Sequence, residues 1–278
     1  MPPLGSERIE HLPAASWSPS RSRFYRLCPR ALFHSLHSPP SHSRSTPQLS
    51  PAETIGIAVH AAIGDHITRW SRGGKPTHSF ILESGRARLD QIIQESSLTS
   101  TDLDKNEISA IRTRVELLLR RFARYIWPQY SNHQYVCHEV EWTIGLGGTL
   151  VVLRPDLVTQ TPTHAYVVTD WKTYSRAQDR LDDEWVQFAA YVWATSVTQH
   201  VGVSSVEGRG VSVPSGEVRR VQGDPGMAVA IKSRITDEAA RWMSEDIADF
   251  EARPGRKACE TCRFVDFCPE GRAVLQKP

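Results

Sequence analysis

Residues 149–173 read TLVVLRPDLVTQTPTHAYVVTDWKT and contain two apolar, β-rich runs, each of which ends at an aspartate. The first run ends at Asp156, and the second ends at Asp170, which is followed by Trp171 and Lys172. Alternate residues of a strand share a face, so Asp170 and Lys172 are predicted to point one way and Trp171 the other. If the two strands pair, Asp156 approaches the same strand end. Two carboxylates and an ammonium group would then lie together.

This combination suits metal-assisted hydrolysis of a phosphodiester. Carboxylate oxygens are hard donors that hold Mg²⁺ or Mn²⁺, and a metal-bound water oriented by a neighbouring lysine is a usable nucleophile. The alternative is an ordinary surface Asp–Lys salt bridge, which strands often carry. The apolar runs at 151–153 and 166–168 argue against it, because a buried strand does not end in a carboxylate without a partner or an ion.

The hydrophobic pattern of the remaining chain predicts a mixed α/β fold of the α+β type. Apolar residues spaced three and four positions apart predict helices at 52–70, 105–127, 182–198 and 227–252. Alternating patterns predict an antiparallel meander of strands at 135–144, 149–159 and 165–173, with one or two further strands at 201–222. The helix at 105–127 also carries five arginines, which we interpret as a solvated face. Ser18 or Ser20 is expected to cap an earlier helix that Pro29 interrupts.

The composition excludes several classes of protein. The chain has 278 residues, a formal net charge of +2, 40% hydrophobic and 23% charged residues, which is typical of a globular protein. It has no apolar run of about 18 residues that could span a bilayer, and residues 1–16 lack the pattern of a secretory signal. We therefore expect a disordered tail at 1–16, a single domain at 17–278 and a cytoplasmic location. Binding to nucleic acid would require a local basic groove.

The five cysteines are unevenly placed. Cys259, Cys262 and Cys268 lie within the last twenty residues, Cys28 lies near the start, and Cys137 is mid-chain. In a reducing compartment, clustered thiols indicate metal ligation rather than disulfides. Cys137 is expected to be a small core residue.

Four motifs occur in an order that resembles the RecB-like branch of the PD-(D/E)xK nuclease superfamily. Pro155-Asp156 followed by Asp170-Trp171-Lys172 resembles its catalytic signature. Residues 56–60 (GIAVH) resemble the Gly-x-x-x-His of its early helix, and residues 187–191 (QFAAY) resemble its Gln-x-x-x-Tyr helix. Taken singly, His60 would be a core histidine and the Gln-x-x-x-Tyr motif a polar helix edge. The resemblance extends from about Trp17 to Gly271.

This resemblance implies a restriction-endonuclease-like core, a mixed central sheet flanked by helices. It divides the chain into a helical part at about 52–130, a catalytic sheet at about 135–222 and a C-terminal cluster region at 253–271. It implies that four groups hold the metal, namely His60, Asp156, Asp170 and the Trp171 carbonyl. The implied catalytic residues are Asp156, Asp170 and Lys172, and the implied DNA-positioning residues are Gln187 and Tyr191. Arg154 departs from the family pattern and would place a cation beside the site, and Glu141 is a weaker candidate for a metal contact.

The cysteines resemble the iron–sulfur staple of CRISPR-adaptation exonucleases and of the AddB nuclease domain, which carry one cysteine before the nuclease motifs and three after them. The resemblance implies a 4Fe–4S cluster with a structural role, held by Cys28, Cys259, Cys262 and Cys268. Four thiolates can equally hold tetrahedral Zn²⁺, and the spacing alone does not distinguish the two.

The function implied is that of a deoxyribonuclease that uses Mg²⁺ or Mn²⁺ and acts as an exonuclease on single-stranded DNA ends. Its setting would be DNA-end processing, repair, or phage or CRISPR-type defence, with a helicase or a CRISPR/defence protein as partner. The sequence has no Gly-x-x-x-x-Gly-Lys-Ser/Thr loop, so a helicase motor would be another polypeptide. Two alternatives remain: a DNA- or partner-binding nuclease-fold subunit without cleavage activity, and a zinc-held structural protein whose Asp-x-Lys is fortuitous.

Overall fold

The computed structural model describes residues 16–37, 49–97, 105–174, 181–244, 246–260, 262 and 264–276. The tail predicted at 1–16 therefore lies outside the described residues, except for Ser16, which begins a strand. None of the described helices combines the length and the apolar character needed to cross a bilayer.

The described residues form both helices and strands, with a run of helices before the main group of strands, which confirms the predicted mixed α/β fold. The described helices are α1 (Pro19–Leu27), α2 (Pro29–His37), α3 (Pro51–Ser71), α4 (His78–Ser97), α5 (Lys105–Arg121), α6 (Leu181–Thr198), α7 (Pro225–Trp242), α8 (Arg256–Glu260) and α9 (Pro269–Leu275). The described strands are β1 (Ser16–Trp17), β2 (Gln134–Cys137), β3 (Trp142–Leu146), β4 (Thr149–Leu153), β5 (Leu157–Gln160), β6 (Tyr166–Lys172), β7 (Val206–Ser212) and β8 (Val218–Gln222).

The chain forms two compact units. The first contains the described parts of Met1–Pro47, Thr143–Val152 and Lys232–Pro278, and the second contains those of Gln48–Trp142 and Leu153–Ile231. The first unit holds most of a three-stranded sheet of order β1-β4-β3. The second unit holds a five-stranded sheet of order β2-β5-β6-β7-β8.

The five-stranded sheet is mixed. β5 and β6 pair antiparallel, with Leu157 opposite Thr169, whereas β6 and β7 pair parallel, with Lys172 opposite Ser212. A parallel pair requires a crossover connection, which α6 provides here. By the β5–β6 register, Asp156, just before β5, and Lys172, at the end of β6, lie at the same end of the sheet.

The predicted antiparallel meander is wrong in its connections. Residues 149–159 form two strands, β4 and β5, which belong to different sheets and are separated by residues 154–156. Pro155 lies in this break and has no N–H to donate to a ladder, so it disfavours one continuous strand. The pairing of β5 with β6, on which the proximity of the carboxylates depends, is confirmed.

The helix at the start of the second unit is defined by strong local signals. Ser50 caps α3 and forms a capping box with Glu53, and Pro51 occupies the first turn. The apolar stripe of α3 packs in a core with α4, α5 and Trp171 of β6. The regular helix α5 ends at Arg121, earlier than predicted, and continues as a π-helical turn and a 3₁₀ turn to Tyr130.

The first unit confirms the predicted cap and break. The hydroxyl of Ser18 accepts a hydrogen bond from the Arg21 N–H at 3.2 Å, and Pro29 starts α2. Cys28 lies between α1 and α2 and ends the first of them. The predicted helix at 227–252 is shorter than expected, because α7 ends at Trp242.

Candidate functional site

The end of β6 carries a close ion pair. The Nζ atom of Lys172 lies 2.6 Å from Asp170 Oδ2, and the two side chains are only 13% and 8% exposed. Trp171 points to the opposite face, where its ring meets Phe122 and Tyr130 edge-on at 5.2 and 5.5 Å. The strand alternation therefore gives the arrangement that the sequence predicted.

Asp156 joins this pair from the start of β5. Its Oδ2 atom accepts a hydrogen bond from the Trp171 backbone N–H at 2.7 Å and lies 3.5 Å from His60 Nδ1. His60 comes from α3, one turn after Gly56, where an added Cβ would stand 3.3 Å from the Thr173 hydroxyl. The absence of a side chain at Gly56 thus lets α3 approach the end of β6 closely and brings His60 to the carboxylates.

Helix α6 closes the other side of the site. Gln187 Oε1 accepts from Lys172 Nζ at 2.8 Å, and Gln187 Nε2 donates to Asp170 Oδ1 at 2.9 Å and to the Tyr191 hydroxyl at 3.2 Å. The Tyr191 hydroxyl donates in turn to the Arg154 carbonyl at 2.9 Å. The structure therefore brings together six side chains from α3, the start of β5, the end of β6 and α6, namely His60, Asp156, Asp170, Lys172, Gln187 and Tyr191.

The two carboxylates differ in their affinity for a proton. Burial raises the pKa of Asp170 above its ordinary value, and the nearby Asp156 charge adds to this, although Lys172 partly offsets both. Burial also acts on Asp156, but His60 and the Trp171 N–H outweigh it and lower the pKa of that carboxyl. Separated pKa values in one carboxylate pair are typical of functional sites.

The same charges shift the pKa values of the other titratable groups in the site. Burial disfavours the charged forms of His60 and Lys172, but Asp156 outweighs it for His60 and Asp170 outweighs it for Lys172, so the pKa of each is raised. Burial, together with the carboxylates, raises the pKa of Tyr191 well above its ordinary value. Tyr191 therefore stays neutral and remains a hydrogen-bond donor.

Glu139 is a residue of the site region that the sequence did not single out. Its carboxylate pairs with the Arg154 guanidinium, its carbonyl accepts from Arg154 Nε at 3.0 Å, and its N–H donates to the Pro155 carbonyl at 3.0 Å. Glu139 adopts a φ of 50°, which is uncommon for a residue with a side chain. Glu141 is exposed. Arg154, expected to face a phosphate, is thus held by Glu139, and no local sequence signal marked this contact.

The set of donor atoms at this end of the sheet suits a hard divalent cation. Asp156 and Asp170 offer carboxylate oxygens and His60 offers a ring nitrogen. Within the described residues, no three His, Cys, Asp or Glu side chains already stand as a metal-holding group. The carboxylates instead face the Lys172 ammonium, which pairs with Asp170, and the His60 ring, whose Nδ1 lies 3.5 Å from Asp156 Oδ2.

The cysteines of the first unit meet at one place. Cys28, Cys259, Cys262 and Cys268 all line a cavity of about 20 Å³, and all four are free thiols. Burial raises the pKa of the Cys268 thiol, although the Gly271 N–H donates to its sulfur at 3.3 Å. Cys137 lies in β2 of the second unit and is half-buried, and burial raises its pKa to about 11.

The chain matches a known family and shares a fold with a solved structure. Residues 16–269 match the model of the PD-(D/E)XK nuclease superfamily. The crystal structure of a candidate exonuclease from Eubacterium rectale is similar, with a TM-score of 0.55 and 15% identity over 99% of this chain and 95% of that chain. At this identity the similarity concerns the fold alone.

Two further comparisons add little. The structure of SSO0001 aligns over 92% of this chain and 97% of its own, with 14% identity and a TM-score of 0.34. No curated protein matches the chain. The mixed sheet with flanking helices agrees with the expected restriction-endonuclease-like core. Because the family match covers residues 16–269, nearly the whole chain, the protein belongs to the PD-(D/E)XK nuclease superfamily.

Proposed function

We propose that the protein is a divalent-metal-dependent deoxyribonuclease of the RecB-like branch that hydrolyses phosphodiesters at the ends of single-stranded DNA. The observation that supports this proposal is that His60, Asp156, Asp170 and Lys172 lie close together at one end of the sheet. Nucleases of this superfamily generally use Mg²⁺ or Mn²⁺. The presence of every motif residue favours an enzyme over a subunit that only binds DNA.

In this proposal Asp156, Asp170, His60 and the Trp171 carbonyl hold the cation. The cation, when bound, neutralises charge on the phosphate and lowers the pKa of a water. Lys172 orients the attacking water, and it can do so because Gln187 holds its ammonium group.

Gln187 and Tyr191 act as positioning residues in this proposal. Tyr191 is 5% exposed and uses its hydroxyl within the protein. Its contribution to DNA positioning is therefore exerted through Arg154 and Gln187, whereas Gln187 acts on Lys172 and Asp170 directly.

We also propose that Cys28, Cys259, Cys262 and Cys268 hold a 4Fe–4S cluster that links the two ends of the chain. The four free thiols around one cavity support this ligand set. A single Zn²⁺ suits the same four thiolates equally. Visible absorbance and the iron and zinc content of anaerobically purified protein distinguish the two, since zinc is colourless.

The proposed setting is cytoplasmic processing of DNA ends, in repair or in phage or CRISPR-type defence, by a single nuclease domain at 17–278 with a tail at 1–16. A helicase or a CRISPR/defence protein is the proposed partner. This setting rests on the resemblance to the RecB-like branch.

The test is the incubation of end-labelled single- and double-stranded DNA with Mg²⁺ or Mn²⁺. We expect the wild type to release nucleotides from single strands, and Lys172→Ala to do so at least about a hundredfold more slowly. Lys75→Ala, which alters an exposed lysine outside the site, is the matched control. A protein that binds DNA but never cuts it with any divalent metal would be the non-cleaving subunit instead.

A further inference from the structure

One face of α5 is exposed and forms an open groove. Its lining residues follow one another at helical steps of three and four and thus share a face. They are Asn106, Ser109, Ala110, Thr113, Arg114 and Leu117, and they line a shallow groove that is widely open to solvent. The opposite face of α5 is buried in the core through Ile111, Val115, Leu118 and Leu119.

The arginines of α5 and of the π-helical turn after it differ in their partners. Arg112 pairs with Asp90 at 2.8 Å, and Arg120 shares Glu116 with Arg86. Arg114 and Arg124, by contrast, make no ion pair within the described part of the chain.

The grooved face also carries little negative charge. Glu107 lies in the first turn of α5, two turns before Arg114, and Glu116 lies on the side occupied by the paired arginines. The same face continues past Arg121 to Arg124. It therefore presents a stripe of positive charge.

An aromatic ring lies within this stripe. Tyr125 is 57% exposed, and the Arg124 guanidinium carbon lies 5.3 Å from its ring centroid. Leu117, in the groove, is 54% exposed. Exposed rings interleaved with arginines are the usual surface for single-stranded nucleic acid, because bases stack on the rings while cations contact phosphates.

Arg121 connects this stripe to the loop between β7 and β8. Arg121 donates to the Ser215 carbonyl at 3.1 Å, and the Ser215 hydroxyl donates to the Ser212 hydroxyl at 2.7 Å. Ser212 lies opposite Lys172 in the β6–β7 register. Through Arg121 and Ser215 the stripe is thus linked to β7, the strand that pairs with the end of β6 at Lys172.

We infer that the exposed face from Arg114 of α5 to Tyr125 of the π-helical turn after it binds the sugar-phosphate backbone of a single DNA strand whose end enters the site. This inference identifies a substrate-binding surface of the proposed nuclease. It rests on the proposed function for the direction in which the DNA strand runs. Arg114, Arg121 and Arg124 contact phosphates, and Tyr125 stacks on a base. These arginines then bind substrate, whereas the sequence alone indicated a solvated helix face.

The experiment measures binding and cleavage separately. The dissociation constant for a fluorescent single-stranded oligonucleotide is measured by anisotropy, in chelator, at several salt concentrations. The test variant replaces Arg114, Arg121 and Arg124 with Gln. The matched control replaces Arg86 and Arg112, which are compensated by acidic partners, with Gln.

We expect the triple variant to bind at least about tenfold more weakly and to lose about two units of salt slope, since each phosphate contact on a single strand contributes about 0.7. The control should bind as the wild type does. Arg114→Gln with Arg124→Gln, which leaves the Ser215 contact intact, should show about two thirds of the effect if the triple variant is unstable.

Hydrolysis of a chromogenic mononucleotide diester, too short to reach α5, should be unchanged in the triple variant. Equal dissociation constants and salt slopes for the triple variant and the control would overturn the inference, as would a wild type that does not bind. A wild type that binds through this face but cleaves neither substrate would instead refute the proposed function and leave the binding surface standing.

Discussion

The Tyr191 hydroxyl donates to the Arg154 carbonyl across 2.9 Å and so ties α6 to the residue that precedes Pro155-Asp156. From the same helix Gln187 holds both Lys172 and Asp170. One helix therefore fixes the two charged strand ends relative to each other. The precision of the site depends on α6 as much as on the sheet.

Tyr191→Phe tests this role because it removes the hydroxyl and keeps the ring. We expect the free energy of unfolding to fall by about 1 kcal/mol, as for one buried hydrogen bond, and kcat to fall about tenfold because Asp156 is less well placed. KM should change little. Tyr166→Phe, at the other end of β6, is the control, and an unchanged kcat for Tyr191→Phe would argue against the positioning role.

Glu139 should stabilise the residues before Asp156. Glu139→Ala removes the partner of a partly buried arginine, so we expect a loss of about 1–2 kcal/mol in the free energy of unfolding, together with slower cleavage. Glu141→Ala changes an exposed carboxylate two residues on and should have little effect on either. Chemical denaturation and single-turnover cleavage measure these effects, and equal behaviour of the two variants would refute the assignment.

His66 should make stability depend on pH. It is 1% exposed, it packs edge-on against Trp127 at 4.8 Å, and neither ring nitrogen has a hydrogen-bond partner among the described residues. Burial lowers the pKa of His66 from 6.5 to about 4. Between these values the unfolded chain binds the proton and the folded protein does not, so stability falls as the pH falls.

The test for His66 compares urea denaturation at pH 7 and near pH 4. His66 should account for a loss of up to about 3 kcal/mol across this window, and His66→Phe should reduce the loss by a similar amount. His78→Phe, at the exposed start of α4, is the control. Parallel stability curves for His66→Phe and the wild type would contradict this account.

We expect substitutions of Cys262 and Cys137 to differ in their effects, because Cys262 lines the cysteine cavity and Cys137 does not. Cys262→Ala should lower the metal content and the thermal stability together, because metal binding at such a site contributes to folding. Cys137→Ala, outside the cavity, should retain the metal. Elemental analysis and thermal denaturation measure both, and metal retained in Cys262→Ala would remove that residue from the ligand set.

The arrangement of side chains at the end of β6 could be predicted from the sequence, because alternation along a strand determines which side chains share a face, as for Asp170 and Lys172. It did not reveal helix α4, which contains Gly85, a residue that disfavours helix by about 1 kcal/mol. The structure explains this glycine, since an added Cβ would lie 2.2 Å from Leu119 Cδ1. Close packing of α4 on α5 is a tertiary requirement that no local pattern expresses.

The contact between Glu139 and Arg154 was equally beyond the sequence. It depends on a loop residue with a positive φ that follows β2 and reaches the break between β4 and β5. The assignment of 149–159 to one strand failed for a related reason. A break of three residues around Pro155 sends the two halves to different sheets, and hydrophobic alternation alone does not distinguish a break from a continuous strand.

The most direct test of the central claim is the Mn²⁺-dependent cleavage of end-labelled single-stranded DNA by the wild type, Asp156→Asn and Asp170→Asn. The account predicts cleavage by the wild type that chelator abolishes, and a loss of at least about a hundredfold in each folded variant. Cleavage at the wild-type rate by both variants would show that the two aspartates do not form the catalytic metal site.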